Sequence, residues 1–152
     1  MKNLDKFIVY NSWIAKLIIP NFKYIMLFGF VLTKSDKENF KENDKVHEGI
    51  HCLQYWDCFL FIGLPIFILA LTSLILCNII SWKLSLTILI PFTIYYIWYG
   101  LNWFYQLITI GFNHEAYRNI IFERQAYSIE NLFKSTGNIN EINYKHFSWI
   151  KY

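Results

Sequence analysis

Two long uncharged runs dominate the pattern of apolar and polar positions: Phe59 to Ile80 and Leu84 to Phe112. Each exceeds the ~20 residues that a helix needs to cross the hydrocarbon core of a bilayer. Only Ser81-Trp82-Lys83 separates them, which predicts two membrane spans folded into an antiparallel hairpin, with both flanks of the chain on one side. Pro65 and Pro91 fall inside these runs as tolerable kinks, because neighbouring groups re-satisfy the backbone.

The flanks are patterned differently. Phe7 to Ile19 is apolar with isolated polar positions and predicts a short interfacial helix or an embedded segment. Tyr24 to Leu32 is rich in aromatic and β-branched residues, is broken by Gly29 and is too short to span; it predicts a strand or hairpin, with a third span over Phe7 to Leu32 as the competing reading. Thr33 to Asn43 reads as a solvated loop. Asn43 or Asp44 is placed to cap a helix that has no breaker before Gly63 and so runs into the first span, with Tyr55 and Trp56 at the headgroup boundary. Beyond the second run, Ala116 to Tyr127 predicts a helix, Ser135-Thr136-Gly137-Asn138 its end, and Ile139 to Tyr152 a small helix returning to the interface. The expected organisation is a single domain over 1–152: 1–43 as interfacial segment, strand and loop, 44–58 as helix, 59–80 and 84–112 as spans, and 113–152 as a helical tail.

Composition agrees with a mostly α membrane protein, since 55% of residues are hydrophobic and 16% charged. Of the basic residues, Lys83 alone sits in the turn, and the rest flank the hairpin; the positive-inside rule then places both termini in the cytoplasm, at a bacterial inner membrane. A net charge of +3, mixed with acids, argues against nucleic acid as a partner and for the lipid bilayer. Cys52, Cys58 and Cys77 lack metal-ligand spacing and read as reduced apolar side chains. The N-terminus lacks the features of a cleavable signal peptide and is expected to persist.

The chemistry concentrates in His47-Glu48-Gly49-Ile50-His51. On a helix, residues four apart share a face, so both imidazoles of this HExxH pattern can reach one zinc ion while Glu48 faces a water beside it. A catalytic zinc takes three protein ligands and leaves one position open. The candidates for the third are Glu115, Glu123, Glu130, His114 and His146. His51 lies eight residues before the first span, about 12 Å along a helix, and Glu123 lies eleven residues past the second, about 16 Å. The similar heights rank Glu123 first. Glu48-x-x-His51 is also half of a di-iron pair, but Glu115 is followed three residues on by Arg118 rather than histidine.

HExxH, a two-span hairpin and a helix bearing Glu123-Arg124-Gln125-Ala126 together resemble the membrane gluzincin peptidases of the HtpX and CAAX prenyl protease type. The segment Ala116-Tyr117-Arg118-Asn119-Ile120-Ile121-Phe122-Glu123 is similar to one in small uncharacterised bacterial membrane proteins. The resemblance covers about Asp44 to Tyr127. It implies a small cytoplasmic α(+β) zincin-like site, with His47, His51 and Glu123 on Zn2+ and Glu48 as general base, and a substrate strand added to an edge near Tyr24 to Leu32. An aspartate common in the pattern is replaced by Tyr127. Tyr117, Arg118 and Tyr127 are candidates for oxyanion donors or for support of the ligands. The expected function is zinc-dependent hydrolysis of peptide bonds in a peptide or membrane-protein substrate at the cytoplasmic membrane face. The alternative is a non-catalytic metal-binding module that senses or binds a partner.

Overall fold

A computed structural model describes residues 4–19, 21–77, 88–112 and 114–152; the expected turn at Ser81 to Lys83 lies outside the described residues. The protein is mostly helical, with one small sheet. The sheet has the order β1 (Ile8–Val9), β3 (Phe30–Thr33), β2 (Tyr24–Leu27), with β1 parallel and β2 antiparallel to β3. The expected hairpin at Tyr24 to Leu32 is therefore present, closed by Phe28 and Gly29 at φ 49° and 76°. Positive φ at both positions makes a turn whose twist matches the strands. Strand alternation divides its side chains. Ile25, Leu27 and Leu32 pack on α1 (Trp13–Ile18), which Ser12 caps by accepting from the Ala15 N–H. Tyr24, Met26 and Val31 pack with Phe40 and Cys52 on the other face.

The backbone of the molecule is one continuous helix from Glu42 to Cys77, built as α2 (Glu42–Cys58), a π turn (Phe59–Gly63) and α3 (Leu64–Cys77). It runs through as expected, but Lys41, not Asn43 or Asp44, occupies the cap position and makes no side-chain cap. Glu42 and Asp44 instead lie in the first turn, where their charge favours the helix dipole. The π turn has a local cause. Pro65 lacks an N–H and crowds the carbonyl four residues back, and the preceding turn widens, with the Leu64 N–H reaching back five residues to the Phe59 carbonyl. Gly63 sits here because α4 (Ile90–Ile110) crosses at Pro91; a Cβ on Gly63 would lie 2.7 Å from the Pro91 carbonyl oxygen.

From that crossing α4 runs antiparallel to α2. Phe92 packs on Phe59, Tyr95 on Tyr55, and Tyr99 reaches His51. After α4 the chain forms α5 (His114–Arg118) and α6 (Ile121–Thr136). The expected single helix over Ala116 to Tyr127 is thus broken. Ile120 is extended, and the Ile121 N–H donates to Asn102 Oδ1 of α4 at 2.9 Å, which starts a new helix at a new angle. Gly137, at φ 64°, ends α6 within the expected stop. The tail is a strap with two short 3₁₀ turns, Ile139–Glu141 and Ser148–Lys151, rather than one small helix. Val46 and Ile50 of α2 meet Ala126 and Ile129 of α6 in the largest helix contact, closed off by Leu4 and Ile142.

Among the described residues one helix, Glu42–Leu76, is long and apolar enough to cross a membrane. It contains Phe59 to Leu76 of the first of the two expected spans. α4 is helical where the second was expected, but its tyrosines, Asn102 and Gln106 dilute its hydropathy.

Candidate metal centre

His47 and His51 stand one turn apart on the buried face of α2, and Glu123 faces them from the first turn of α6. The His47 Nε2 and His51 Nε2 atoms are 3.2 Å apart; Glu123 Oε2 is 3.2 Å from the first and Oε1 3.1 Å from the second. Ligands held at about 2.0–2.1 Å in a tetrahedron have edges of about 3.3 Å. Each of these separations is close to such an edge, and the three side chains could hold a metal ion.

Their surroundings fix which nitrogens point inward. His47 Nδ1 lies 3.0 Å from Glu130 Oε2, an acceptor, so it carries the proton and leaves the Nε2 lone pair facing Glu123. His51 Nδ1 meets Gln54 Oε1 at 2.8 Å, with the same consequence. Glu123 Oε1 accepts from the Tyr99 and Tyr117 hydroxyls, both at 2.7 Å, while Oε2 is buried without a hydrogen-bond partner. Three buried acceptors thus converge on one point with no proton among them, an arrangement that costs several kcal/mol unless a cation sits there. Without an ion a proton takes that role: burial pulls the His51 imidazole down, but the Glu123 charge outweighs it and lifts the pKa to about 9. The same pairing overcomes the burial of Glu123 and holds its carboxylate well below the usual range.

Glu48 does not join the triangle. It lines a cleft of about 430 Å³ together with His51 and Glu123, walled by Phe22, Tyr24, Ile25 and Met26 on one side and by Tyr95, Tyr96, Tyr99 and Tyr117 on the other. Desolvation in this wall raises its pKa above the ordinary carboxylate value. The Phe28 N–H at the hairpin tip donates to the hydroxyl of Tyr96, a residue of the cleft wall, at 2.6 Å.

The other candidates fall into place around this centre. Tyr117 supports Glu123. Tyr127 lays its ring against His47, with centroids 4.6 Å apart, and the Arg118 guanidinium lies over the Tyr127 ring, 4.7 Å from its centroid. Glu130 is the hydrogen-bond partner of His47 rather than a ligand. His114 and Glu115 are exposed, and His146 is bound to Asp57. Glu123 arrives by a route other than the one its height implied. It lies beside Tyr99, in the middle of α4, not above the end of a span. Sequence reasoning missed Gln54, Tyr95 and Tyr99. The only signal for Gln54 was its place three residues after His51, on the same buried face. No family model, curated protein or solved structure matches this chain.

Proposed function

We propose that the protein is a zinc-dependent membrane peptidase. The observation that carries this reading is the convergence of His47 Nε2, His51 Nε2 and Glu123 Oε2, each a lone pair, with Glu48 beside them on an open cleft. Two imidazoles and one carboxylate suit zinc, with a fourth position left to water or substrate. When bound, zinc would acidify a water and polarise a carbonyl. Glu48, its basicity raised by burial, takes the proton of the attacking water and delivers it to the leaving amine. Tyr99 and Tyr117 hold Glu123 in place and shield its charge.

The sheet supports an extended peptide. β2 is an edge strand. Leu27 and Phe30 close a two-residue hairpin, so they and Ile25–Leu32 exchange backbone hydrogen bonds, which directs the N–H and C=O of Tyr24 and Met26 to the free edge. A substrate strand added there would run along the cleft, its side chains against Ile25, Met26, Tyr95 and Tyr96, which favours apolar residues. The bilayer is the other partner. Contacts of α4 with α3 and the π turn, Phe67 on Phe92 and Gly63 on Pro91, support an antiparallel pair in the membrane, and the basic flanks support a cytoplasmic site.

The test is metal content followed by cleavage. Purified protein should hold about one equivalent of zinc. Glu48→Gln should retain that zinc and lose cleavage of apolar peptides by two orders of magnitude or more, on the order of what a general base contributes. Zinc bound without any Glu48-dependent cleavage would leave the non-catalytic module as the function.

A further inference from the structure

We infer that Gln54 is a positioning residue for the metal, the last link of a hydrogen-bond relay that runs from the C-terminal strap to His51. The direction of the relay follows from backbone carbonyls, which can only accept. The Gln54 amide nitrogen donates to the Phe122 carbonyl at 3.0 Å and to Gln125 Oε1 at 2.7 Å, which uses both of its protons. Its oxygen is thereby turned to His51, 2.8 Å from Nδ1, and must accept. Nδ1 therefore keeps its proton, Tyr95 meets that nitrogen at 3.2 Å as a further acceptor, and only Nε2 is left to face an ion.

The other end has the same polarity. The Gln125 amide nitrogen donates to Ser148 Oγ at 2.6 Å, and Ser148 donates to the Lys145 carbonyl at 2.6 Å. Gln54 and Gln125 are both buried, so neither amide has water as a substitute partner. The strap that carries Ser148 is itself pinned to α2. Buried Asp57 accepts from the Tyr144 hydroxyl at 2.7 Å, the Phe147 N–H at 3.0 Å and His146 Nδ1 at 2.5 Å. Trp149 packs on Phe122, with ring centroids 4.7 Å apart. Phe122 supplies the carbonyl that orients Gln54, and the residue after it is the ligand Glu123. One peptide group thus links the orientation of two ligands, His51 and Glu123.

This inference rests on the metal reading, and two readouts separate them: zinc affinity by chelator competition, and the NMR signal of the His51 Nδ1 proton. In the wild type that proton should be protected and shifted downfield. Gln54→Leu should lose it and bind zinc about 10–100-fold more weakly, the range expected when a partner of a ligating histidine is removed. Gln54→Glu still offers an acceptor to Nδ1–H and should restore affinity to within a few-fold, although its carboxylate faces the Phe122 carbonyl and lowers the melting temperature. A structural role alone would weaken zinc binding in step with melting temperature in both variants, and that result overturns the proposal. So does a folded Gln54→Leu with wild-type affinity, or a wild type lacking the Nδ1 proton. Failure of the metal reading looks different: the wild type takes up no zinc while the Nδ1 proton is still seen, and Gln54 then has no metal to position.

Discussion

His47 shows how much a single residue depends on its partners. Its ring is held by Glu130 at one nitrogen and by the Tyr127 face on its side, and Lys134 in turn pairs with Glu130 at 2.5 Å. Glu130 is a largely buried carboxylate that accepts a hydrogen bond from the Nδ1–H, which raises the donor strength of Nε2 and fixes the ring. Removing it in Glu130→Ala should weaken zinc binding by about 10–100-fold, with little change in the melting temperature because the site lies at the rim of the α2–α6 contact. Chelator competition beside a thermal melt measures both. Equal affinities would mean that Tyr127 alone orients the ring. Tyr127 stands where the resembling pattern has an aspartate, and its ring, braced by Arg118, supplies packing where a carboxylate would supply charge.

At the scale of elements, the helix from Glu42 to Cys77 has to change its winding where the polar half meets the apolar half. Pro65 widens the turn there, and Gly63 lets α4 lie against it at Pro91. Gly63→Ala should push the two helices apart by a few tenths of an ångström or more and destabilise the protein by about 1–3 kcal/mol, the usual cost of overpacking. Because Tyr95 and Tyr99 ride on α4, the same substitution should also weaken zinc binding, whereas Gly100→Ala, with open space around its Cβ, should change neither. Unfolding in denaturant and a zinc titration of both variants check this. The helix that carries HExxH, its passage past Gly63 and the hairpin at Tyr24 to Leu32 were legible in the sequence because each rests on local pattern. The break at Ile120 was not, since it depends on Asn102, eighteen residues away and on another helix. The grouping of Glu123 with His47 and His51 was legible, but its depth was not. Counting residues from Phe112 assumed that the apolar run ends where the membrane ends, whereas the tyrosines of α4 are spent on lining the site.

For the whole molecule, that displacement decides how deep the candidate site lies relative to a bilayer. Ile97, Leu101, Phe104 and Ile108 are all exposed and recur at four, three and four residues, so they form one outward stripe on α4 while Tyr95, Tyr99 and Asn102 face inward. α3 is similarly exposed at Ile68, Leu69, Ile75 and Leu76. Soluble proteins rarely leave so much contiguous apolar surface uncovered. The α4 stripe continues past Tyr99, which is level with His51, so a bilayer that covers the stripe reaches the depth of the metal centre. Spin labels on cysteines introduced at Leu101, Ile108 and Arg124, in protein with Cys77 replaced by serine, test this in vesicles. Leu101 and Ile108 should be quenched by oxygen, which concentrates in lipid, and Arg124 by a water-soluble nickel chelate. Should the two α4 positions respond to the chelate as Arg124 does, the site stands clear of the membrane and its substrates are soluble peptides. Should they respond to neither, another protein chain covers the stripe. The expected pattern places the cleft at the membrane boundary, where the apolar walls at Met26, Tyr95 and Tyr96 can receive a segment of a membrane protein as it leaves the lipid.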